Sequence, residues 1–307
     1  MPRVTASTLR PTHLSDIDLH CPTSLADVFP QLRNGAAVLA GGTDMILWAS
    51  QAGNPDYLVW TGGIEELQSV DLEGGSIRVG AAITLSRLVR SVDFQAAATA
   101  VAAGAQLIGS VQLRNQATLV GNLCTASPAG DTIPGLVVHD ARVEIASSAT
   151  DRREVDIGNF LIGPGKTVLT SNELVTAVTL SPLAKGEASF FQRFTQREAL
   201  DLAFASVAAR VGLESDGSTV RAVRLALGAV DETVIEVSDT ASILSGGSLN
   251  DAALQECAEA AAEACSPISD HRASADYRRQ LVRALVVDVL AEAGRRAERS
   301  YGKLGVP

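Results

Sequence analysis

The chain changes character once, at "LSPLAKGEA", where Pro182 and Gly186 punctuate it. Before that point, runs of strand and helix length are mixed. After it come three strand-like runs and then two long helix-like ones. Strands followed by helices cannot alternate into a parallel α/β sheet, so they build an α+β unit. The expected organisation is therefore two α+β domains, residues 1–182 and 183–307, a division that 307 residues accommodate.

In the first part, "TSLADVFPQLRNG" predicts a short helix with Thr23 or Ser24 as N-cap and Gly35 as C′ residue. "AAVLA" predicts a strand that Gly41-Gly42-Thr43-Asp44 turns, and "PDYLVWTG" predicts another. "GSIRVGAAITLSRLV" starts with strand alternation at Ile77 and Val79 and becomes helical near Thr84. Ala96 to Ile108 predicts one buried Ala-rich helix, and "DARVEIASS" and "ELVTAVTL" predict strands. Between them, "LRNQATLVGNLCTASPAGDTIP" (Leu113–Pro134) is dense in Asn, Thr, Gly, Ser and Pro. It predicts a long polar loop. Loops of that length are uncommon unless functional or disordered.

In the second part, "ASFFQRFT", "LAFASVAARVGL" and "TVRAVRLALGAV" predict strands, with "SDGS" as a turn. "SLNDAALQECAEAAAEAC" predicts a helix capped by Asn250 or Asp251. The last predicted helix carries Leu281, Leu285, Val286 and Leu290 at helical spacing.

Composition narrows the function classes. The net charge of −10 argues against nucleic acid, whose phosphates need a basic footprint. It leaves anionic ligands open, because backbone N–H groups can hold a phosphate without a cation. No run reaches the ~20 apolar residues of a membrane span. The start lacks an apolar signal-peptide core, so a cytoplasmic protein is expected. Cys21, Cys124, Cys257 and Cys265 form no C-x-x-C pair, so no metal or iron–sulfur site is expected in this chain. Cys257 and Cys265 read as helix packing. His13, His20, His139 and His271 are scattered, and ordinary structural roles are expected for them.

Three stretches can carry chemistry. A strand ending in Gly41-Gly42-Thr43-Asp44 can turn successive N–H groups into one concavity where a side chain would block a phosphate. It can equally be a plain tight turn. In the Leu113–Pro134 stretch, Gly121 and Asn122 can take left-handed conformations. Thr118, Thr125 and Ser127 supply hydroxyls, and Asp131 supplies a carboxylate suited to paired sugar hydroxyls. The stretch predicts a ligand wrapper, against the alternative of a polar omega loop. In "FFQRFTQRE", Arg193 and Arg197 are four apart and would share one face of a strand, which reads as solvated without further context.

The segments "LAGGTDMIL", "IGSVQLRNQATLVGNLCTASPAGDTIPGLVVHDARVEIAS", "FLIGPGKTVL", "ELVTAVTL", "FFQRFTQREALDLAFASVAARV" and "SPISDHRASADYRRQLVRAL" stand in order over nearly the whole chain. Together they resemble the FAD-binding (medium) subunit of the molybdenum hydroxylases. The "SPAGD" loop and the Tyr277-Arg278-Arg279 run are its most specific parts.

The resemblance implies a two-lobed FAD-binding domain of the vanillyl-alcohol oxidase (PCMH) type. A small α+β flavoprotein C-terminal domain would follow it. Ala40, Gly41, Gly42, Thr43 and Asp44 would hold the FAD pyrophosphate, with Leu39 also among the cofactor contacts. Thr118, Gly121, Asn122 and Thr125 would form a second FAD loop. Asp131 would meet the ribose and adenine end, Val175 would be an apolar contact, and Arg193 would stand where relatives often have Lys. Relatives read T-x-G-G-N in the loop, whereas Val120 replaces the first Gly here, and a positive φ at Val120 would be costly.

The resemblance further implies an oxidoreductase subunit with no catalytic side chain of its own. A small partner would carry two [2Fe–2S] clusters and a large partner the molybdenum–pterin cofactor, in a heterotrimer or its dimer. Electrons would reach FAD from the clusters and leave to an external acceptor. A self-contained flavin oxidase or reductase of the same fold, or a nucleotide-binding assembly module without redox role, are the alternatives.

Overall fold

A computed structural model describes residues 17–301 apart from 50–54, 56 and 73, so His13 lies outside the described residues. The first lobe contains β1 (Asp18–His20), α1 (Val28–Arg33), β2 (Ala37–Leu39), α2 (Met45–Ala49) and β3 (Tyr57–Trp60). Its three strands are parallel in the order β1-β3-β2, with Leu19 beside Leu58 and Val38 beside Val59. Helix α1 begins three or four residues later than expected, with Asp27 rather than Ser24 or Thr23 before it. The Ser24 hydroxyl donates to Asp27 Oδ2 at 2.7 Å instead of capping, and Asp27 N–H donates to Ser24 O, so residues 24–27 form a turn. Gly35 does close the helix, with φ of +88° and its N–H donating to Leu32 O.

The second lobe runs through β4 (Val70–Asp71), β5 (Ile77–Gly80), α3 (Leu85–Arg90), α4 (Val92–Ala97), α5 (Thr99–Leu107), α6 (Val111–Arg114), α7 (Leu119–Thr125) and α8 (Thr132–Val138). It continues with β6 (Arg142–Ala146), β7 (Arg152–Asp156), α9 (Ile157–Phe160), β8 (Leu161–Gly163), β9 (Lys166–Thr167) and β10 (Leu174–Leu180). Strands β4-β5-β10-β6-β7 form an antiparallel sheet. Thr84 caps α3 by accepting from Arg87 N–H, at the expected switch from strand to helix. The single helix expected over Ala96–Ile108 is two: Ala98 breaks it, and the Ala97 carbonyl instead accepts from Leu183 N–H.

The Leu113–Pro134 stretch is not a loop. Thr118 within it, and Ser110 just before it, are helix caps. Ser110 Oγ accepts from Leu113 N–H, Thr118 Oγ1 accepts from Gly121 N–H, and Ala126 ends α7 in the left-handed region. A dense run of small polar residues therefore encodes short helices with tight joints. The elements that sequence patterning missed, including α7, α8, β7 and the β8–β9 hairpin, are two to seven residues long. The exposed "RREVD" of β7 shows no alternation.

The C-terminal region contains β11 (Glu187–Phe194), β12 (Ala205–Leu213), β13 (Val220–Gly228), β14 (Ile235–Glu236), α10 (Asp239–Leu244), α11 (Asp251–Ala264) and α12 (Ala275–Ser300). Its four strands are antiparallel in chain order. Asn250 and Ser274 cap α11 and α12. Both faces of this sheet are covered, and period two sorts the residues. Val207, Ala209 and Val211 of β12 join Val282, Val286, Val289 and Leu290 of α12 in one core. Ala208, Ala226 and Phe191 face the other way and join the core of the second lobe, against α5 and α8. Each fully buried Val or Leu contributes about 1.5–3 kcal/mol.

His139, at the end of α8, is fully buried in this junction. Its Nδ1 lies 2.8 Å from Ser181 O and its Nε2 lies 2.9 Å from Ser189 Oγ, and that hydroxyl accepts from Ala100 N–H. Burial holds its pKa down at about 4, so it is neutral at pH 7. The structural role expected of it is the one found.

Candidate functional site

A cleft of about 540 Å³ lies between the two lobes and the tip of the C-terminal sheet. Ala40, Gly41, Gly42, Thr43 and Asp44 line it after β2. Gly41 is forced by a close approach, since a Cβ there would stand 1.9 Å from Gln116 O. The residue type was expected for room around a ligand. The structure shows it makes room for the neighbouring backbone. Gly42 turns the chain with φ of +75°.

The opposite wall is α7 and the joint that follows. It is pinned to the second lobe by an isolated bridge between Thr84 and Thr118 and by Leu85 N–H donating to Ala117 O at 2.8 Å. Thr118, Gly121, Asn122 and Thr125 all line the cleft. Gly121 and Asn122 are helical rather than left-handed, and so is Val120, which needs no positive φ. The change from Gly at that position is therefore absorbed without backbone strain. Thr125 Oγ1 donates to Asp44 Oδ2 at 2.9 Å, stapling the two walls together across 81 positions of sequence. Asn122 Oδ1 accepts from Thr132 Oγ1 at 2.7 Å, which orients its amide.

Asp131 closes one end of the cleft. Its backbone carbonyl packs on Gly104, where a Cβ would stand 2.2 Å away. The glycine that interrupts the Ala-rich run thus seats this residue. Asp131 is 5% exposed. Its Oδ2 accepts from Arg193 Nη1, and Arg193 Nη2 donates to Leu107 O at 3.1 Å. The other oxygen, Oδ1, is buried with no partner. Burial pushes its pKa up to about 6, against the opposing pull of Arg193. Arg193 lines the cleft from β11, but Arg197 does not share its face. The strand ends at Phe194, and Arg197 lies in the following turn beside Asp201.

Val175, on β10 at a bulge, completes the expected set in the cleft. Leu39 alone among those residues does not line it; its carbonyl instead accepts from Thr61 N–H at 3.0 Å. The cleft also takes in Ile108, Gly109 and Leu113, Cys124, and Asp201 and Leu202. The Ile108-Gly109-Ser110 joint was readable, with its turn glycine beside a cap. Asp201 and Leu202 carried no signal, because only the tertiary fold brings their connection over the cleft. Burial pushes the Cys124 thiol up to about 12, which keeps it a neutral lining group.

Such a cleft suits a long ligand that is anionic at one point, flat at another and rich in hydroxyls. Residues 15–182 match the family model of the FAD binding domain in molybdopterin dehydrogenase, and residues 190–293 match the CO dehydrogenase flavoprotein C-terminal domain. The chain belongs to the FAD-binding subunits of the molybdenum hydroxylase family. It is an α+β flavoprotein-type subunit of the oxidoreductase class.

Among individual relatives, it is 31% identical over 281 residues to the xanthine dehydrogenase FAD-binding subunit of Escherichia coli O157:H7, covering 89% of this chain and 94% of that one. It is similar to a chain of the carbon monoxide dehydrogenase from Hydrogenophaga pseudoflava that lacks the Mo-pyranopterin moiety. The TM-score is 0.86 at 27% identity, over 91% of this chain and 98% of that chain. It is likewise similar to a chain of quinoline 2-oxidoreductase from Pseudomonas putida 86, with TM-score 0.85 at 26% identity over 92% and 98%. The fit to FAD rests on the cleft itself. Its unpartnered Asp131 Oδ1 calls for a donor, as a sugar hydroxyl is.

Proposed function

We propose that this chain is the FAD-binding electron-transfer subunit of a multi-subunit molybdenum hydroxylase. It would receive electrons from [2Fe–2S] clusters of a small partner and pass them to an external acceptor. Substrate would be oxidised on a large molybdopterin partner. The assembly is a heterotrimer or its dimer, in the cytoplasm, and the chain divides into working units at 1–182 and 183–307. Among the described residues, no helix is long and apolar enough to cross a membrane. The relatives carry the partner assignment: the carbon monoxide dehydrogenase chain of Hydrogenophaga pseudoflava and the nicotine 6-hydroxylase chain of Paenarthrobacter nicotinovorans are both medium chains or subunits by name.

The observation that carries the cofactor reading is the unpartnered, buried Asp131 Oδ1 in a cleft walled by the Gly41–Asp44 turn and α7. In this reading, Gly41, Gly42 and Thr43 face the pyrophosphate, with Thr118, Gly121 and Asn122 opposite. Asp131 accepts from ribose, and Val175 contributes apolar surface. Bound flavin supplies a centre that exchanges electrons singly or in pairs. The chain's own residues bind and orient it and exclude water, and none has to move a proton. Asp44 and Thr125 keep the two walls in register, and Arg193 balances the Asp131 charge.

The test is spectroscopic. The complex purified with its partner chains shows flavin absorption that bleaches when the complex oxidises its substrate, and the isolated chain does not oxidise that substrate. A folded complex without flavin, or turnover by this chain alone, overturns the proposal.

A further inference from the structure

The Tyr277-Arg278-Arg279 run does not touch the cleft, yet Arg278 is one of the most buried cations among the described residues, at 3% exposure. Its Nη1 donates to Phe204 O at 2.6 Å and lies 3.3 Å from Ala229 O, and its Nη2 donates to Asp270 Oδ1 at 3.1 Å. Its Nε is buried without an acceptor.

Both carbonyls belong to segments that continue into cleft walls. Phe204 is one root of the connection between β11 and β12. Its N–H donates to Phe194 O at 2.8 Å, the two rings pack 5.9 Å apart, and Tyr277 meets Phe194 edge-on at 6.2 Å. That connection carries Asp201 and Leu202 over the cleft. Ala229 takes φ of +63°, and its N–H donates to Pro128 O at 2.7 Å, between the cleft-lining Ser127 and Ala129. One guanidinium thus ties down two chain segments, more than seventy residues from one of them and about fifty from the other.

A buried ion pair adds little net stability, because desolvation offsets the attraction, and an unpaired Nε adds further cost. What the arrangement fixes is geometry. Arg is needed because its planar fork can address carbonyls and a carboxylate at once, which a Lys ammonium cannot do in the same plane.

We propose that Arg278 is a positioning residue for the cofactor cleft. From α12 it fixes the spacing between the 127–131 wall and the Asp201–Leu202 wall. Its consequence for flavin rests on the FAD reading above, whereas its consequence for the backbone does not.

The test compares the full chain with its Arg278→Lys and Asp270→Asn variants by hydrogen exchange and by FAD titration. Arg278→Lys speeds exchange about tenfold in peptides covering 127–131 and 195–204, the effect of losing a charged hydrogen bond. Peptides of α11 (Asp251–Ala264) keep their wild-type rates. The FAD dissociation constant rises by about the same factor. Asp270→Asn shifts the same two windows by less, and it decides the matter if the Lys variant does not fold. Exchange that rises equally in α11, or stays unchanged in either window, overturns the proposal, as does an unchanged FAD constant in a variant whose windows have loosened. If the wild-type chain takes up no FAD, the cofactor reading fails and the exchange data still decide the positioning role.

Discussion

At the Gly41–Asp44 end, the cleft wall is backbone, held by a close approach to Gln116 and a threonine–carboxylate staple. At the Asp131–Arg193 end it is a buried ion pair with one carboxylate oxygen left over. The first end depends on contacts within the N-terminal region. The second is complete only when β11 delivers Arg193. A backbone wall tolerates no added atom, whereas a charge wall tolerates shape changes but no loss of a partner.

The largest effect is expected at the charge wall. Asp131→Ala leaves Arg193 buried without its carboxylate and costs about 4 kcal/mol in chemical unfolding. A loss under about 1 kcal/mol would mean the pair is open to water and would erase the contrast between the ends. Gly41→Ala pushes a methyl into the Gln116 carbonyl and costs about 3 kcal/mol, with FAD retention falling alongside. A wild-type-like Gly41→Ala variant would show that this wall yields.

The charge end should also reveal itself through pH. Asp131 has an ordinary pKa of 3.8 and a folded value of about 6. Between these values the folded chain holds a proton that the unfolded chain releases, so this group adds stability as pH falls from 6 towards 4. His139 acts oppositely. Its folded value of about 4 lies below 6.5, so stability drains away as pH falls through that window. Asp131→Asn removes only the first contribution. The flavin-free variant therefore loses stability more steeply than wild type between pH 6.5 and 4, by about 3 kcal/mol across the window. Parallel pH curves would remove the burial of Asp131 from the account.

The smallest effect concerns the wall between the two ends. Val120 is 5% exposed inside α7, so Val120→Gly loses a buried side chain and adds the backbone-entropy cost of fixing Gly in a helix, for about 2 kcal/mol. Stabilisation by that change would mean the wall wants a left-handed residue after all.

Much of the backbone end was legible in the sequence. Gly41-Gly42 after an apolar run announces a turn, and the strand-then-helix order after Pro182 announces the C-terminal sheet and its cover. The Leu113–Pro134 stretch misled because caps and loops use the same residues. Ser110 and Thr118 look alike whether they end a helix or fill a loop, and only the hydrogen bonds to Leu113 and Gly121 distinguish them. The charge end was half legible. Asp131 stood out, but its pairing with Arg193 spans 62 positions and depends on the register of β11. Asp201 and Leu202 were invisible, because no local pattern reports which connection a sheet carries over a cleft.

The most direct measurement is an equilibrium titration of the full chain with FAD, followed by flavin fluorescence, for wild type and Asp131→Asn. One FAD binds per wild-type chain, and binding is about tenfold weaker in the variant, the loss of one charge-assisted hydrogen bond. Equal affinity in the two chains, or no saturable binding to a folded wild-type chain, would contradict it.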